Sequence, residues 1–221
     1  MLVDRVGFQR VKSVLTGWYR TMTTETQTTK EQILTAASHL MSVKGYNHTS
    51  LDNVLSESGV GKGNFYYYFK SKEELGYAIL DRITQQFVAR VIEPAFHNGS
   101  LTPRERIHRF LDGVLESQRK RNCVGGCPMG NLASELSDLH EGFRRRLAQI
   151  FALWRENLGE ALRQGQAEGS FRSDLNPEAM THFLVAGLEG AILMAKVTKE
   201  IRVMETCVNE LKAHLNLYAT E

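Results

Sequence analysis

Only 4 prolines occur in 221 residues, and Val, Ile and Thr seldom alternate with polar residues. With so few breakers the chain can run in long helices, and no strand-like stretch stands out. The cysteines number 3. An odd count excludes a disulfide framework and points to a reducing interior, so a cytoplasmic location is expected. No apolar run reads as a membrane span, and no membrane partner is expected. The stretch MLVDRVGFQRVKSVLTGWYRTM scatters basic residues where a signal peptide has a continuous apolar centre. Charge of one sign is lacking too. A net charge of +2 announces no nucleic-acid partner for the chain as a whole. A nucleophile–base pair, a phosphate-cradling glycine loop followed by lysine and serine, and a metal quartet are all missing. An enzyme therefore lacks visible machinery, and no cofactor or metal is expected.

What is present is helical periodicity from end to end, which makes the fold class all-α. Residues 1–27 read as a disordered or loosely docked extension, and Met22 reads as a natural start. Residues 28–75 form three short helices. In the first, Ile33, Ala37, Leu40 and Met41 share a face and Gly45 is the stop. The second has Ser50 as N-cap, Leu51, Val54 and Leu55 on one side, and Gly59 at its end. The third is VGKGNFYYYF, followed by a Ser71–Glu74 capping box. Two short helices joined by a tight glycine turn are the helix-turn-helix pattern.

Residues 76–221 carry longer helices. One runs from Lys72 to about Ile92 and is expected to stop before Pro94. Another is opened by Thr102-Pro103-Arg104-Glu105, and a short one bears Leu132, Leu136 and Leu139. A long one runs through Phe143, Trp154 and Leu162, one is capped by Asn176-Pro177, and the last spans Met204 to Tyr218.

The basic residues concentrate locally. From Val60 to Lys72 the chain holds Lys62, Lys70 and Lys72 and no acidic residue. Helical geometry puts Val60, Gly61, Phe65 and Phe69 on one side, and Asn64, Tyr67, Tyr68 and Ser71 on another, with Tyr66 on a flank. Two phenylalanines suffice to anchor the helix, so the tyrosines are free to touch something outside. Tyrosine hydroxyls and lysine ammoniums bond phosphate oxygens, tyrosine rings meet thymine methyls, and Asn64 suits a base edge. Gly63 lets the backbone approach closely. Ser50 and the amides beside it suit a phosphate, as does Lys72. A solvated polar face on a small helical subdomain is the bland alternative.

The segment TKEQILTAASHLMSVKGYNHTSLDNVLSESGVGKGNFYYYFKSKEEL resembles the DNA-binding domain of TetR-family transcriptional repressors over about residues 28–80. The resemblance implies an all-helical homodimer whose variable C-terminal domain binds a small-molecule effector and thereby releases a palindromic operator in double-stranded DNA. It places the DNA contacts on Lys62, Asn64, Tyr66, Tyr67, Tyr68 and Lys72.

In the second domain FLVAGLEGAILMA is apolar nearly all round, with Gly187 and Gly190 permitting close approach. Gly187, Gly190, Met204, Val208, Leu211 and Leu215 are the expected dimer surface, and a monomeric core helix is the alternative. Phe110, Val114, Cys127, Met129, Asn131, Leu132, Phe151 and Trp154 are the expected effector pocket, and a plain core has the same composition. Cys123 and Cys127 have no second Cys or His pair to complete a zinc site. Two readings of them stand: buried packing, or a sensor in which Cys127 at a helix start carries a stabilised thiolate. The arrangement GC-x-x-x-x-L-x-x-E-L is similar to a TetR subgroup that includes electrophile-responsive regulators. Glu135, Asp138 and His140 read as a solvated helix end rather than a metal site, and Glu189 is open between a buried functional charge and a solvent-facing one. Rival functions are a small-molecule enzyme and a ligand-independent architectural DNA-binding protein.

Overall fold

The computed structural model describes residues 24–220. The expected start at Met22, and most of the expected extension, lie outside the described residues. The first helix, α1 (Thr24–Lys44), already includes 24–27. It is followed by α2 (Leu51–Ser58), α3 (Lys62–Tyr68) and α4 (Lys72–Phe87). A π-helical turn (Val88–Ile92) leads directly into α5 (Glu93–Phe96). Then come α6 (Pro103–Lys120), α7 (Pro128–Leu136), α8 (Glu141–Ala167), α9 (Pro177–Thr198) and α10 (Ile201–Asn216). Among the described residues the only extended pairing is an isolated bridge between Phe171 and Ala219.

Caps explain most boundaries. Ser50 and Asn53 form a reciprocal capping box at α2, and Gly59 closes that helix at φ +66°. Gly45 takes φ +85° after α1. Thr102 with Glu105 and Asn176 with Ala179 open α6 and α9 as expected. Ser71 accepts from the Glu74 amide, but Glu74 does not reach back to Ser71; its carboxylate accepts from the Lys70 N–H at 2.7 Å. The last helix begins three residues earlier than expected, at Ile201, and Leu139 lies beyond the end of α7.

Pro94 does not stop its helix. The Glu93 N–H bonds to the Val88 carbonyl, five residues back, and this extra residue in the turn precedes the position where proline has no N–H to give. A π-bulge thus carries the helix through the proline into α5.

The core is one cluster running from Ile33 in α1 to Leu215 in α10. At the junction between the first helices and the rest, the Tyr46 and Phe143 rings meet edge to face at 5.1 Å. Gly76 of α4 lies against both. A Cβ there would sit 2.7 Å from Phe143 Cζ and 2.7 Å from Tyr46 Cε2. Two buried rings have little room to retreat, so Gly76→Ala is expected to cost about 1–3 kcal/mol, read as a lowered thermal midpoint.

One described helix, α9, is long and apolar enough to cross a bilayer by length and composition, with mean hydropathy 1.3. Its Leu184, Leu188, Ala191, Ile192 and Ala195 are buried in the core cluster, which accounts for the apolar composition.

Candidate nucleic-acid interface and effector cleft

In α3, Phe65 is fully buried, and Phe69, just past the helix end, is 2% exposed. Val60 is buried ahead of them. The opposite surface presents Lys62, Gly63 and Asn64, all exposed, together with Tyr66 at 40% and Tyr67 at 69%. Ser50 is also exposed, though its hydroxyl oxygen is already engaged by the Asn53 amide.

Three expectations about this surface change. Tyr68 is half-buried and packs against the core, its ring edge-on to Tyr67 at 4.9 Å, so it is a shoulder rather than part of the open face. The angular sort assumed a helix continuing to Ser71. In fact α3 ends at Tyr68, Phe69 is extended at φ −136° and ψ 121°, and Ser71 caps α4 instead. The extended step turns Phe69 back into the core, and residues beyond it no longer follow the helical angle. Lys72 is half-buried and folded over the Tyr46 ring at 4.4 Å, with Nζ donating to the Asn47 carbonyl at 3.4 Å. Burial lowers its pKa, opposed by the charge of Glu135. It is not a freely presented clamp. Lys70, exposed, donates to the Tyr66 carbonyl at 2.9 Å and ties off the end of α3.

The expected effector pocket splits. Phe110, Val114, Met129, Leu132 and Trp154 are core residues. Trp154 stacks on Phe87 at 4.5 Å and meets Phe110 and Phe151 edge-on, so interlocked rings fill the space a ligand would need. The opening lies one helix over, between α7 and α9, as a cleft of about 320 Å³. Cys127, Asn131 and Phe151 do line it. They are joined by Gly126, Gly130, Ala133 and Ser134 on one side and Glu189, Gly190, Ile192, Leu193 and Lys196 on the other.

Cys127 is the N-cap of α7, its sulfur accepting from the Gly130 N–H at 3.3 Å. The expected thiolate stabilisation does not follow. Burial pushes the thiol up from its ordinary value, the nearby Glu189 pushes it further, and the cap bond from Gly130 opposes them. Cys123 is 2% exposed in the core, and Cys207 packs partly buried against the same cluster. Glu189 is the deep acid of the cleft. Burial raises its carboxyl above the ordinary range, and its Oε1 is buried without a partner. Lys196 Nζ donates to Asn131 Oδ1 at 3.1 Å. Among the described residues no group of three or more His, Cys, Asp and Glu is arranged to hold a metal.

The residue that sequence reasoning missed is Glu135. Read as part of a solvated helix end, it instead accepts from the backbone N–H groups of Tyr46 at 2.9 Å and Asn47 at 2.6 Å, in the turn between α1 and α2. Gly45 makes room for it, since a Cβ there would lie 3.1 Å from its carboxylate. The partners are 88 and 89 residues away in sequence, so no local pattern announces them. One short rod, α7, thus lines the cleft through Asn131 and Ser134 and grips the first three-helix unit through Glu135.

The expected dimer residues also divide. Met204, Val208, Leu211 and Leu215 are buried within this chain, and Gly187 faces Leu211, where a Cβ would approach to 2.8 Å. These residues join α9 to α10 rather than facing outward, because a two-helix layer must bury the inner stripe of its last helix. Gly190 meets nothing within 4 Å. It belongs to an exposed stripe of α9 with Phe183, Leu193, Met194 and Val197, spaced to share one helical face.

Comparison with known proteins follows the same division. Residues 33–79 match the family described as bacterial regulatory proteins, tetR family, and 103–211 match the tetracyclin repressor-like C-terminal domain. An uncharacterised HTH-type transcriptional regulator in the lacX 3' region of Lactococcus lactis is 35% identical, over 83% of this chain and 91% of its own. The transcriptional regulator AcuR of Cereibacter sphaeroides is 32% identical, over 76% of each. Among solved structures, the reduced form of NemR from Escherichia coli superposes with a TM-score of 0.75 at 28% identity, over 87% of this chain and 97% of that one.

Proposed function

The chain belongs to the TetR family of transcriptional regulators, and from that premise we propose that it is a cytoplasmic repressor. It binds a palindromic operator as a homodimer and leaves it when a small molecule enters the α7–α9 cleft. The observation that carries the reading is the two-faced α3: phenylalanines buried behind, and Lys62, Gly63, Asn64, Tyr66 and Tyr67 exposed in front. That surface offers phosphate donors and base-edge groups together. Symmetry of the operator calls for symmetry of the protein, and the apolar stripe of α9 is a self-complementary surface for a second copy.

Release has a route in this arrangement. A ligand entering the cleft presses on α7, and α7 moves the α1–α2 turn through Glu135, tilting α2 and α3 together. Coupling of this kind needs a contiguous element, and the nine-residue α7 meets the cleft at one end and the α1–α2 turn at the other. The raised thiol of Cys127 favours a ligand held without covalent bonding over alkylation of a ready thiolate.

The test is to select bound fragments from random DNA with the full chain and measure affinity for them. Operator affinity is expected to fall by roughly 10³ between about 50 and 200 mM salt, for about six phosphates neutralised per dimer. Affinity indifferent to salt, or selection that enriches no palindrome, refutes the reading. Loss of binding with small organic molecules separates it from an architectural protein, and an unchanged ligand after release separates it from an enzyme.

A further inference from the structure

In the α7–α9 cleft the ammonium of Lys196 is not ion-paired among the described residues, although Glu189 lines the same wall. Lys196 sits on the cleft wall, and among the described residues its ammonium has only the amide oxygen of Asn131 as partner. Arg121 lies directly behind the loop that forms one rim. Its Nη2 donates to the Gly126 carbonyl at 2.9 Å, while its Nε is buried without a partner. Neither cation forms an ion pair among the described residues, unlike Arg119, which pairs with Glu116 and Glu205. An ammonium on the wall that meets only a neutral oxygen leaves the cleft with an unmet preference for an anion.

The rest of the lining limits what that anion belongs to. Phe151, Ile192 and Leu193 supply apolar wall. Glu189 stands seven residues before Lys196 on α9, roughly 10 Å away along the helix. Its carboxyl has one oxygen buried without a partner. Glu189 would oppose a second anionic group at the far end, so a diacid is disfavoured. A phosphate dianion would want more donors than one ammonium and one amide supply. What remains is a single carboxylate at one end of a short aliphatic body.

Resting on the reading of this cleft as the effector site, we propose that the effector class is a small aliphatic monocarboxylic acid. Its carboxylate pairs with Lys196, and its chain lies against Phe151, Ile192 and Leu193. Asn131, released from Lys196, turns its amide to the ligand or to the loop carbonyl of Gly125, which its Nδ2 already meets at 2.6 Å.

Three probes of equal length test this: hexanoate, hexanamide and hexylamine, titrated into the full-length protein by calorimetry at constant salt. Hexanoate is expected to bind at least roughly tenfold more tightly than hexanamide, with hexylamine weaker still. In Lys196→Met the preference for acid over amide should collapse to about unity, and Lys196→Arg should restore much of it. Circular dichroism melts of both variants exclude simple unfolding. The inference is overturned if the amide or the amine matches the acid, or if the acid preference survives Lys196→Met. It is also overturned if none of the three binds. The functional reading is judged separately on the selected operator. Release by hexylamine or hexanamide alone would sink the acid assignment and keep the ligand-responsive regulator. Acid binding without any operator would do the reverse.

Discussion

Replacing Glu135 with alanine is expected to lower the thermal midpoint by roughly 5–10 °C and to disconnect the cleft from the first three helices. The carboxylate accepts from two backbone amides, Tyr46 and Asn47, in a turn where the helix has just ended and those groups have no helical partner. Hydrogen bonds to a charged acceptor contribute about 1.5–3 kcal/mol each, and partial exposure here discounts the sum to about 2–4 kcal/mol. Glu135 also opposes the burial that lowers Lys72, so its loss leaves that ammonium less favourably placed over Tyr46. Faster hydrogen exchange at the Tyr46 and Asn47 amides is the local signature. The functional signature is operator affinity that no longer responds to ligand although ligand still binds. An unchanged midpoint with intact release would show that α7 communicates by another route. Glu135→Gln keeps one acceptor without the charge and should fall between.

The second large effect separates two neighbours on one short helix. Phe65 is fully buried and meets Phe69 at a tilt, ring centroids 5.8 Å apart. Phe65→Ala removes an aromatic ring from the centre of a small three-helix unit and is expected to cost about 3–5 kcal/mol, unfolding that unit well before the rest. Tyr67, at 69% exposure, is the reverse. Tyr67→Ala should stay within about 0.5 kcal/mol of the parent in stability. Operator affinity should nevertheless drop by about tenfold or more, since each half-site of a dimer loses a contact. Thermal melts and fluorescence anisotropy on the same samples decide it. Equal operator affinity in Tyr67→Ala would move the reading surface elsewhere, and a large loss of stability would mean the ring is structural.

Much of the first domain was legible because its signals are local. Ser50, Gly59 and Ser71 act within four residues of themselves, and their caps are where the pattern puts them. The inward phenylalanines were legible for the same reason, since burial follows helical angle over one or two turns. The misplacements begin where that assumption lapses. Ser71 falls on the outward stripe only if α3 continues past its end, and a single extended residue, Phe69, breaks the projection. Pro94 was read as a stop because a proline disrupts a regular ladder, and the π-turn that accommodates it leaves no mark in composition.

The second domain was harder. A stripe of apolar residues says that a helix packs, not what it packs against. Met204, Val208, Leu211 and Leu215, expected at a partner, are buried within their own chain, while Phe183, Leu193, Met194 and Val197 are the ones left outward. Phe110 and Trp154 were assigned to a pocket and fill it with one another.

By itself, then, the sequence determined the helical class, the caps, the glycine turn and the anchored, polar-fronted third helix, all set by interactions between residues a few positions apart. The tertiary structure alone decided where the cleft opens, which face of α9 stays bare, and that Glu135 grips a turn 88 and 89 residues away. Those depend on how whole helices cross. Crossing is settled by the fit of many side chains at once, through pairings that no run of neighbouring residues encodes.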